Sequence, residues 1–380
     1  MKILMVQQFE GIAGAERYWL ETLPELARLG HQANLLLIGT PESIASSQNN
    51  LDELKEKGVI VHIIYSKRSY SLSGQFKIYR FFKQHQFDIV HTHLLAADLG
   101  IALSQKIFGS KVLQVSTKHG YEEKYNNDYG FNPSYKQKNF YWRAARFAES
   151  KIKRSFAISQ GLYKLYSGLG IVKESNLDLI NYGFDYHTED MYNPELRFSN
   201  KQLILVGRLT EFKGHKFAFA ALKLLKFKYP EVKLVVVGDG VLKKQLVSDV
   251  GNSGLEEQVI FTGSQPNPRE YMSNSDVVLV PSVSEGFGVV LLEAFSVKRP
   301  VVAFNVPSPS ELIVHNHDGL LAEPYSIEEY ASLIESILIN PMLGKKLSDN
   351  AYEKLNKKFT KRRMVDETVE FYERVLNDVS

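Results

Sequence analysis

The sequence predicts an α/β protein with two doubly wound parallel-sheet domains. Its 380 residues exceed what one ordinary hydrophobic core holds, so two or three domains are expected. Short, β-branched apolar runs alternate with longer stretches of helical periodicity from end to end, which is typical of parallel sheets covered by helices on both faces. This pattern restarts once, after a polar stretch at residues 186–200 that has no hydrophobic period and marks the domain boundary.

The predicted strands divide evenly between the two domains. In the first domain, residues 1–185, they are KILMVQQ, ANLLLI, VIVHII, DIVHTH and KVLQVS. In the second, residues 186–359, they are QLILVG, KLVVVG, QVIFTG, DVVLVP and PVVAF. The last helix, at about 360–380, is a candidate to pack back on the first domain. We expect the two domains to face each other across a cleft, because open α/β sheets bind ligands at the carboxyl ends of their strands.

The composition excludes several classes of protein. The chain has no cysteine, which rules out disulfides, thiolate metal sites and cysteine nucleophiles. It has no run of 18 uncharged, mostly apolar residues, and its first apolar run is too short for a secretory signal. These features predict a cytoplasmic protein.

The basic residues concentrate in the first half of the chain. Lys and Arg outnumber Asp and Glu in residues 1–184, whereas the reverse holds in residues 185–380. The run 135–154 interleaves basic and aromatic residues. If it forms a helix, this helix would suit the anionic surface on the cytoplasmic side of a membrane. An ordinary solvated face is the alternative. Nucleic acid is not expected as a partner, because no nucleic-acid-binding signature accompanies the run.

A glycine-rich loop follows the predicted strand DVVLVP. Gly286 and Gly288 would let a ligand approach the backbone, and a helix beginning near Phe287 would direct its free N–H groups at an anion. Glu285 and Glu293 flank this loop, about 12 Å apart if the helical rise applies throughout. Their carboxylates could bind the hydroxyls of two sugars on either side of a diphosphate. The alternative is a helix N-cap at Glu285 and a surface residue at Glu293.

Two cations follow another predicted strand, in the segment VGRLTEFKGH. Arg208 and Lys213 offer a planar guanidinium and a mobile ammonium, which suit a diphosphate that gains charge as a bond breaks. An isolated surface pair is the alternative.

Histidines end two predicted strands of the first domain. His91 and His93 end DIVHTH, and His119 follows KVLQVSTK. No third ligand for a metal is evident beside His91 and His93, and the chain has no D-x-D motif, so neither a histidine metal site nor a magnesium-bridged diphosphate is expected. A structural histidine is the alternative to a catalytic one.

The loop with Gly11 and Gly14 leads from the first strand into a helix. Neither this loop nor VGDGVLKKQ at residues 237–245 has the full G-x-G-x-x-G pattern, so a nicotinamide enzyme is a weak competitor.

Taken together, these segments resemble family 4 of the retaining glycosyltransferases, which has the two-domain, Rossmann-like GT-B fold. The resemblance runs from the first strand to about Glu323, and EGFGVVLLE, its most specific element, matches the E-x7-E signature of that family. The resemblance implies that the first domain binds the acceptor and the second the nucleotide sugar. It implies contacts of Glu285 with the donor sugar, and of Glu293 with the ribose.

The resemblance implies roles for other motifs as well. Arg208 and Lys213, in VGRLTEFKG, would hold the leaving nucleotide. His119, in TKHG, would act at the reacting sugar, and Gly14, in AGAER, would lie near the phosphates and the acceptor. The backbone amides that would bind the donor's hydroxyls and phosphates belong to Gly286, Phe287, Gly288 and Val289.

The chain departs from the family pattern at three places. Ala13 replaces the first glycine of the common G-G-A-E loop, and Pro307 and Ser308 stand where glycines are common. The segment NYGFD lacks the usual proline and asparagine before its glycine, so Asn181 does not inherit the role of that asparagine.

The expected function is metal-independent, retaining transfer of a sugar from a UDP- or GDP-sugar to a hydroxyl. The nucleotide sugar is then a substrate, and no cofactor is expected. The basic run 135–154 suggests a lipid-linked or surface-polysaccharide acceptor and peripheral association with an anionic membrane. A nucleotide-sugar epimerase of the same fold and a noncatalytic nucleotide-sugar-binding protein are the alternatives.

Overall fold

The computed structural model describes residues 1–11, 14–120, 140–186 and 191–378. These residues form two compact units. The first unit consists of residues 1–11, 14–120, 140–184 and 361–378, and the second of residues 185–186 and 191–360. Each unit is built on one parallel sheet, so the predicted α/β class with two parallel-sheet domains is confirmed.

The first unit has a seven-stranded parallel sheet. Its strands are β1 (Lys2–Phe9), β2 (Gln32–Gly39), β3 (Ile60–Tyr65), β4 (Ile89–His93), β5 (Gln114–Lys118), β6 (Arg154–Ala157) and β7 (Leu177–Leu179). Their order is β3-β2-β1-β4-β5-β6-β7, so the strand order reverses between β1 and β4. Lys2 pairs with Gln32 on one side, and Ile3 pairs with Ile89 on the other. Ligands bind parallel sheets of this kind at such a reversal.

Helices cover this sheet. They span Gly14–Arg28, Pro41–Ala45, Gln48–Glu56, Leu72–Gln84, Leu94–Phe108, Phe140–Glu149, Gln160–Gly168 and Lys361–Asn377. Strand β1 is buried on both faces, since Leu4 and Met5, which point to opposite sides, are both fully inaccessible. A short 3₁₀ turn at Glu174–Asn176 precedes β7.

The second unit has a six-stranded parallel sheet. Its strands are β8 (Gln202–Val206), β9 (Lys233–Val237), β10 (Val259–Gly263), β11 (Val277–Val280), β12 (Val301–Phe304) and β13 (Leu320–Ala322). The order β10-β9-β8-β11-β12-β13 reverses between β8 and β11. The helices span His215–Lys228, Lys243–Asn252, Pro268–Ser273, Val289–Ser296, Pro309–Leu312, Ile327–Ile339 and Pro341–Lys358, with 3₁₀ turns at Pro194–Leu196 and Glu211–Lys213.

The C-terminal helix Lys361–Asn377 belongs to the first unit. It buries an apolar face that includes Met364 and Phe371. The hydroxyls of Tyr18 and Thr368 lie 2.8 Å apart, and this bond joins the first helix of the chain to the last.

The basic run 135–154 places its aromatic residues differently from the expectation. Residues 135–139 lie outside the described part of the chain. In the helix Phe140–Glu149, Tyr141 and Trp142 are buried within the first unit, and only Phe140 is strongly exposed, at 80%. The apolar side of this amphipathic helix therefore packs into the core of the first unit instead of facing outward. Within the described residues, no helix is both long and apolar enough to cross a membrane.

Candidate functional site

The structure brings Lys213 and Glu285 together at the strand-order reversal of the second unit. Lys213 lies beyond β8 and Glu285 beyond β11, 72 residues apart in sequence. The Lys213 Nζ donates to Glu285 Oε1 at 2.5 Å, and the Ser282 hydroxyl donates to the same oxygen at 2.9 Å. Glu285 is buried and the Lys213 side chain is largely so, which strengthens their attraction relative to a surface pair.

Two glycines of the loop after β8 lie close to Lys213 in sequence or in space. A Cβ at Gly207 would lie 3.5 Å from Lys213 Cδ, which is ordinary van der Waals contact, so the lysine stem passes beside this glycine. Gly214 has a φ of +72°, and a Cβ there would lie 1.9 Å from the carbonyl oxygen of Pro281 at the end of β11. The loop after β8 therefore packs against the end of β11 at a distance that only glycine permits.

Arg208 and Lys213 both lie beside the buried ring of Phe212. The Arg208 Cζ is 5.7 Å and the Lys213 Nζ 5.6 Å from the ring centroid. Arg208 is exposed, whereas Lys213 is engaged by Glu285. One short loop thus carries an exposed guanidinium and a partly buried ammonium around a single aromatic ring.

The glycine-rich loop leads into a helix that begins at Val289. This start lies two residues after Phe287, near which the helix was predicted to begin, because Gly288 has a left-handed φ of +87° and forms the N-cap. Residues 285–288 are not helical, so the expected helical rise between Glu285 and Glu293 does not apply to them. The Ser308 hydroxyl donates to the Phe287 carbonyl and fixes the loop, and Ser308 itself has a left-handed φ of +81°.

His215 directly follows Gly214 in the loop after β8, and sequence reasoning missed it. It begins the helix His215–Lys228 and is 2% exposed. Burial, followed by the nearby charge of Lys213, lowers the pKa of His215 to about 4. Its ring is therefore neutral at pH 7. The sequence did contain a signal for this position, because His215 follows Gly214 directly at the end of the segment VGRLTEFKGH.

In the first unit, His119 belongs to a buried cluster of histidines and tyrosines beyond β5. Its Nε2 lies 2.8 Å from His93 Nδ1, and its Nδ1 lies 2.5 Å from the Tyr182 hydroxyl. His91 contacts the Tyr372 hydroxyl and the Thr117 hydroxyl, each at 2.6 Å. Both ring nitrogens of His119 thus have protein partners.

The three histidines of this cluster are neutral. Burial lowers the pKa of His93 to about 3. Burial, together with the charge of neighbouring groups, lowers the pKa values of His91 and His119 well below the usual 6.5. In the described ranges, no group of three or more His, Cys, Asp or Glu side chains is arranged to hold a metal ion.

A buried ion-pair group lies beside His119, and sequence reasoning missed it too. Lys118 Nζ lies 2.9 Å from Asp98 Oδ2 and 2.8 Å from Glu149 Oε2. Burial opposes the charge on Lys118, but the two carboxylates outweigh it and raise the lysine pKa. Lys118, His119 and Leu94 line a small pocket at the ends of β4 and β5. Leu94 has a left-handed φ of +67°, which is strained backbone for leucine.

The remaining predicted positions are only partly described. Gly14 begins the helix Gly14–Arg28, is exposed and has open space where a Cβ would lie. Ala13 lies outside the described residues. The Asn181 side chain donates to the Ile158 carbonyl at 2.9 Å and so supports the backbone.

Two sequence families match the chain one after the other. "Glycosyltransferase Family 4" matches residues 12–187, and "Glycosyl transferases group 1" matches residues 189–354. The chain belongs to glycosyltransferase family 4. It is a transferase of the GT-B type, as the resemblance of its motifs predicts.

Known relatives are similar to this family 4 chain over different lengths. An uncharacterized glycosyltransferase of Haemophilus influenzae is 30% identical over 42% of this chain and 45% of that protein, so the match spans less than half of that relative. N-acetyl-alpha-D-glucosaminyl L-malate synthase of Bacillus anthracis is 25% identical over 97% of this chain and 96% of that enzyme. A crystal structure of Anabaena Alr3699/HepE in complex with UDP-glucose has a TM-score of 0.82 at 20% identity, covering 98% of this chain and 100% of that one. The GT-B fold is thereby confirmed.

Proposed function

We propose that this protein transfers a sugar from a UDP- or GDP-sugar to a hydroxyl group, with retention at the anomeric carbon and without a metal ion. The observation that carries the proposal is the contact of Lys213 with Glu285 at the strand-order reversal of the second unit, where parallel sheets bind ligands. The similar Anabaena protein was crystallised with UDP-glucose, which supports a nucleotide-sugar donor.

The paired charges suit the two ends of a sugar phosphate. The Glu285 carboxylate accepts hydrogen bonds from sugar hydroxyls, while the Lys213 ammonium attracts the adjoining phosphate. Arg208 adds a second cation on the same loop, and Gly286, Phe287, Gly288 and Val289 offer backbone amides. We assign the ribose to Glu293, one turn into the helix that begins at Val289.

The bond that breaks joins the anomeric carbon to the diphosphate oxygen. Its electron pair goes to that oxygen, where Arg208, Lys213 and the amides stabilise the developing negative charge. The acceptor hydroxyl forms the new bond on the face that the diphosphate leaves, and its proton passes to the leaving phosphate oxygen. Because the cations supply the positive charge and the chain has no D-x-D motif, the proposal needs no metal.

In this mechanism His119 acts at the reacting sugar as a neutral ring. Burial holds its pKa well below the usual 6.5, so it does not carry the proton at pH 7. Its bonds to His93 and Tyr182 orient the imidazole, and it contacts the sugar by exchanging one of these partners for a hydroxyl. For Gly14, at the start of the helix Gly14–Arg28, we propose a role near the phosphates and the acceptor.

The acceptor that we propose is a lipid-linked or surface-polysaccharide intermediate. The excess of basic residues in residues 1–184 supports this choice, because such acceptors carry phosphate or lie at an anionic membrane.

A panel of nucleotide sugars, each incubated with the purified protein, tests the reaction class. We expect slow hydrolysis of one donor to the free sugar and the nucleoside diphosphate, with the anomeric configuration preserved in the first-formed sugar. Formation of an isomeric sugar would indicate an epimerase. Complete stability of every donor, despite binding of one of them, would indicate a noncatalytic protein.

The substitution Lys213→Ala tests the charge on the diphosphate. Without the ammonium, the leaving oxygen loses one of its two proposed cations, and kcat should fall by about 100-fold or more. Lys216→Ala is the matched control, because Lys216 lies three residues away and pairs with exposed Glu211. Circular dichroism at the assay temperature establishes that both variants are folded. Near-normal turnover in folded Lys213→Ala would contradict the assigned role.

A further inference from the structure

The surface of residues 65–83, called the docking face here, exposes several large apolar side chains. Leu72 is 89% and Phe76 54% exposed, and they lie one turn apart on the helix Leu72–Gln84. Tyr65 is 52% exposed, and Lys77 Nζ donates to its carbonyl oxygen at 2.6 Å, which fixes the end of β3 beside this helix. Single exposed apolar residues are ordinary, but a group of this size marks an interaction surface.

The docking face carries only positive charge. The sequence has no Asp or Glu between Glu56 and Asp88. The exposed cations of the face are Lys67, Arg68, Lys77, Arg80 and Lys83. Within the described ranges none of these five forms a salt bridge, so their field is not neutralised locally.

The opposite side of the helix Leu72–Gln84 is fixed in the core of the first unit. Ile78 is fully buried and Phe81 is 9% exposed. The Gln75 amide donates to the carbonyls of Ser69 and Gly100, at 2.9 Å and 2.8 Å. The helix therefore cannot turn its apolar first turn inward, and Leu72 and Phe76 stay in contact with solvent unless a partner covers them.

We propose that the docking face binds the surface of a lipid bilayer that contains anionic lipid. Apolar side chains flanked by unopposed lysine and arginine match the two layers of such a surface, since the apolar groups enter the acyl boundary and the cations meet the headgroups. The inference deepens the proposed function, because it names the surface that would hold the enzyme at a lipid-linked acceptor. It also replaces the run 135–154, whose Tyr141 and Trp142 are buried.

The second unit offers a matched control surface. The helix His215–Lys228 exposes Leu224 by 43% and Phe227 by 81%, so its apolar exposure is comparable. Two of its four lysines, however, pair with acidic residues: Lys216 with Glu211 at 2.5 Å and Lys228 with Glu335 at 3.0 Å. This helix therefore has comparable exposed apolar groups but fewer lysines without an acidic partner than the docking face.

Co-sedimentation of the full chain with lipid vesicles tests the proposal. The vesicles contain phosphatidylcholine alone or with about 30% phosphatidylglycerol, and the ionic strength is about 0.01 M, at which the Debye length is about 30 Å. We expect binding only to the anionic vesicles. The double variant L72S/F76S should lower the partition coefficient about tenfold or more, because two large apolar side chains no longer enter the bilayer. The triple variant K77Q/R80Q/K83Q should lower it at least about tenfold and remove most of its salt dependence. The control L224S/F227S should bind as the unchanged protein does.

Four results would overturn the proposal: no binding of the unchanged protein to anionic vesicles, equal binding to pure phosphatidylcholine, unchanged binding of L72S/F76S, or an equal loss in L224S/F227S. If only R143Q/R146Q loses vesicle binding, the binding surface is the helix Phe140–Glu149 instead, and the proposal is wrong.

Donor hydrolysis without vesicles separates this inference from the proposed function. Hydrolysis should be equal in all these variants, and its absence from every protein, with vesicle binding intact, would contradict the proposed function alone.

Discussion

Single side chains of the first unit show why part of the site follows from the sequence and part does not. The positions of His91, His93 and His119 at strand ends are readable from apolar runs. Their contacts with one another depend on β4 lying next to β5, and those with Tyr182 and Tyr372 bring in residues far along the chain. Spacing along the chain carries no information on such contacts.

The pH dependence of stability tests whether this cluster is neutral. Each buried histidine has a lowered pKa in the folded state, whereas in the unfolded chain it binds a proton below about pH 6.5. As the pH falls below 6.5, the unfolded state therefore binds more protons, and the free energy of unfolding decreases. The expected loss is up to about 1.4 kcal/mol per histidine for each pH unit, down to the folded pKa, about 3 for His93.

Urea unfolding at pH 7 and pH 5 measures this loss through tryptophan fluorescence. The two tryptophans, Trp19 and Trp142, are buried in the first unit and report its unfolding. The variant His93→Gln should reduce the pH dependence by about one histidine's share. A free energy of unfolding that stays constant from pH 7 to pH 5 would show that these histidines titrate in the folded protein as they do in the unfolded chain, so that the cluster is open to water.

Secondary-structure elements were predictable where their apolar runs were long. Strands β1 to β5 and β8 to β12 overlap runs that the sequence pattern predicts, whereas β6, β7 and β13, which span only three or four residues, were missed. Three residues define no period, so pairing with a neighbouring strand decides their structure. The same limit applies to the site: the motifs around Lys213 and Glu285 were predicted, but their 2.5 Å contact depends on β8 pairing with β11.

The packing of the loop after β8 on the end of β11 predicts a large effect of Gly214→Ala. A Cβ there would meet the Pro281 carbonyl oxygen at 1.9 Å, and the φ of +72° adds a strain of about 1–2 kcal/mol. Gly254→Ala is the matched control, because its φ is +66° and no atom lies within 4 Å of the added Cβ. Gly254→Ala should cost only the strain, and Gly214→Ala at least about 2 kcal/mol more. Thermal unfolding by circular dichroism compares them, and equal losses would refute the close packing.

At the level of the whole molecule, the two units differ in charge and in the groups that they offer to a ligand. The first unit supplies a neutral histidine cluster and the docking face, and the second supplies Arg208, Lys213 and Glu285. Because these groups lie in different units, substitutions can affect the binding of a nucleotide separately from the binding of an acceptor or a membrane. A nucleoside diphosphate should therefore depend chiefly on Arg208 and Lys213 of the second unit.

Thermal shifts with nucleotides test this division. A ligand that binds only the folded protein stabilises it by about 2.7 kcal/mol at one hundred times its Kd, which corresponds to a rise in Tm of several degrees. UDP or GDP should produce such a rise, and NAD should not, because the glycine loops lack the full dinucleotide pattern. Lys213→Ala should reduce the shift, whereas Lys216→Ala and L72S/F76S should retain it. Equal shifts with NAD and UDP, or a full shift in Lys213→Ala, would place the nucleotide away from the loop after β8 and remove the basis of the proposed reaction.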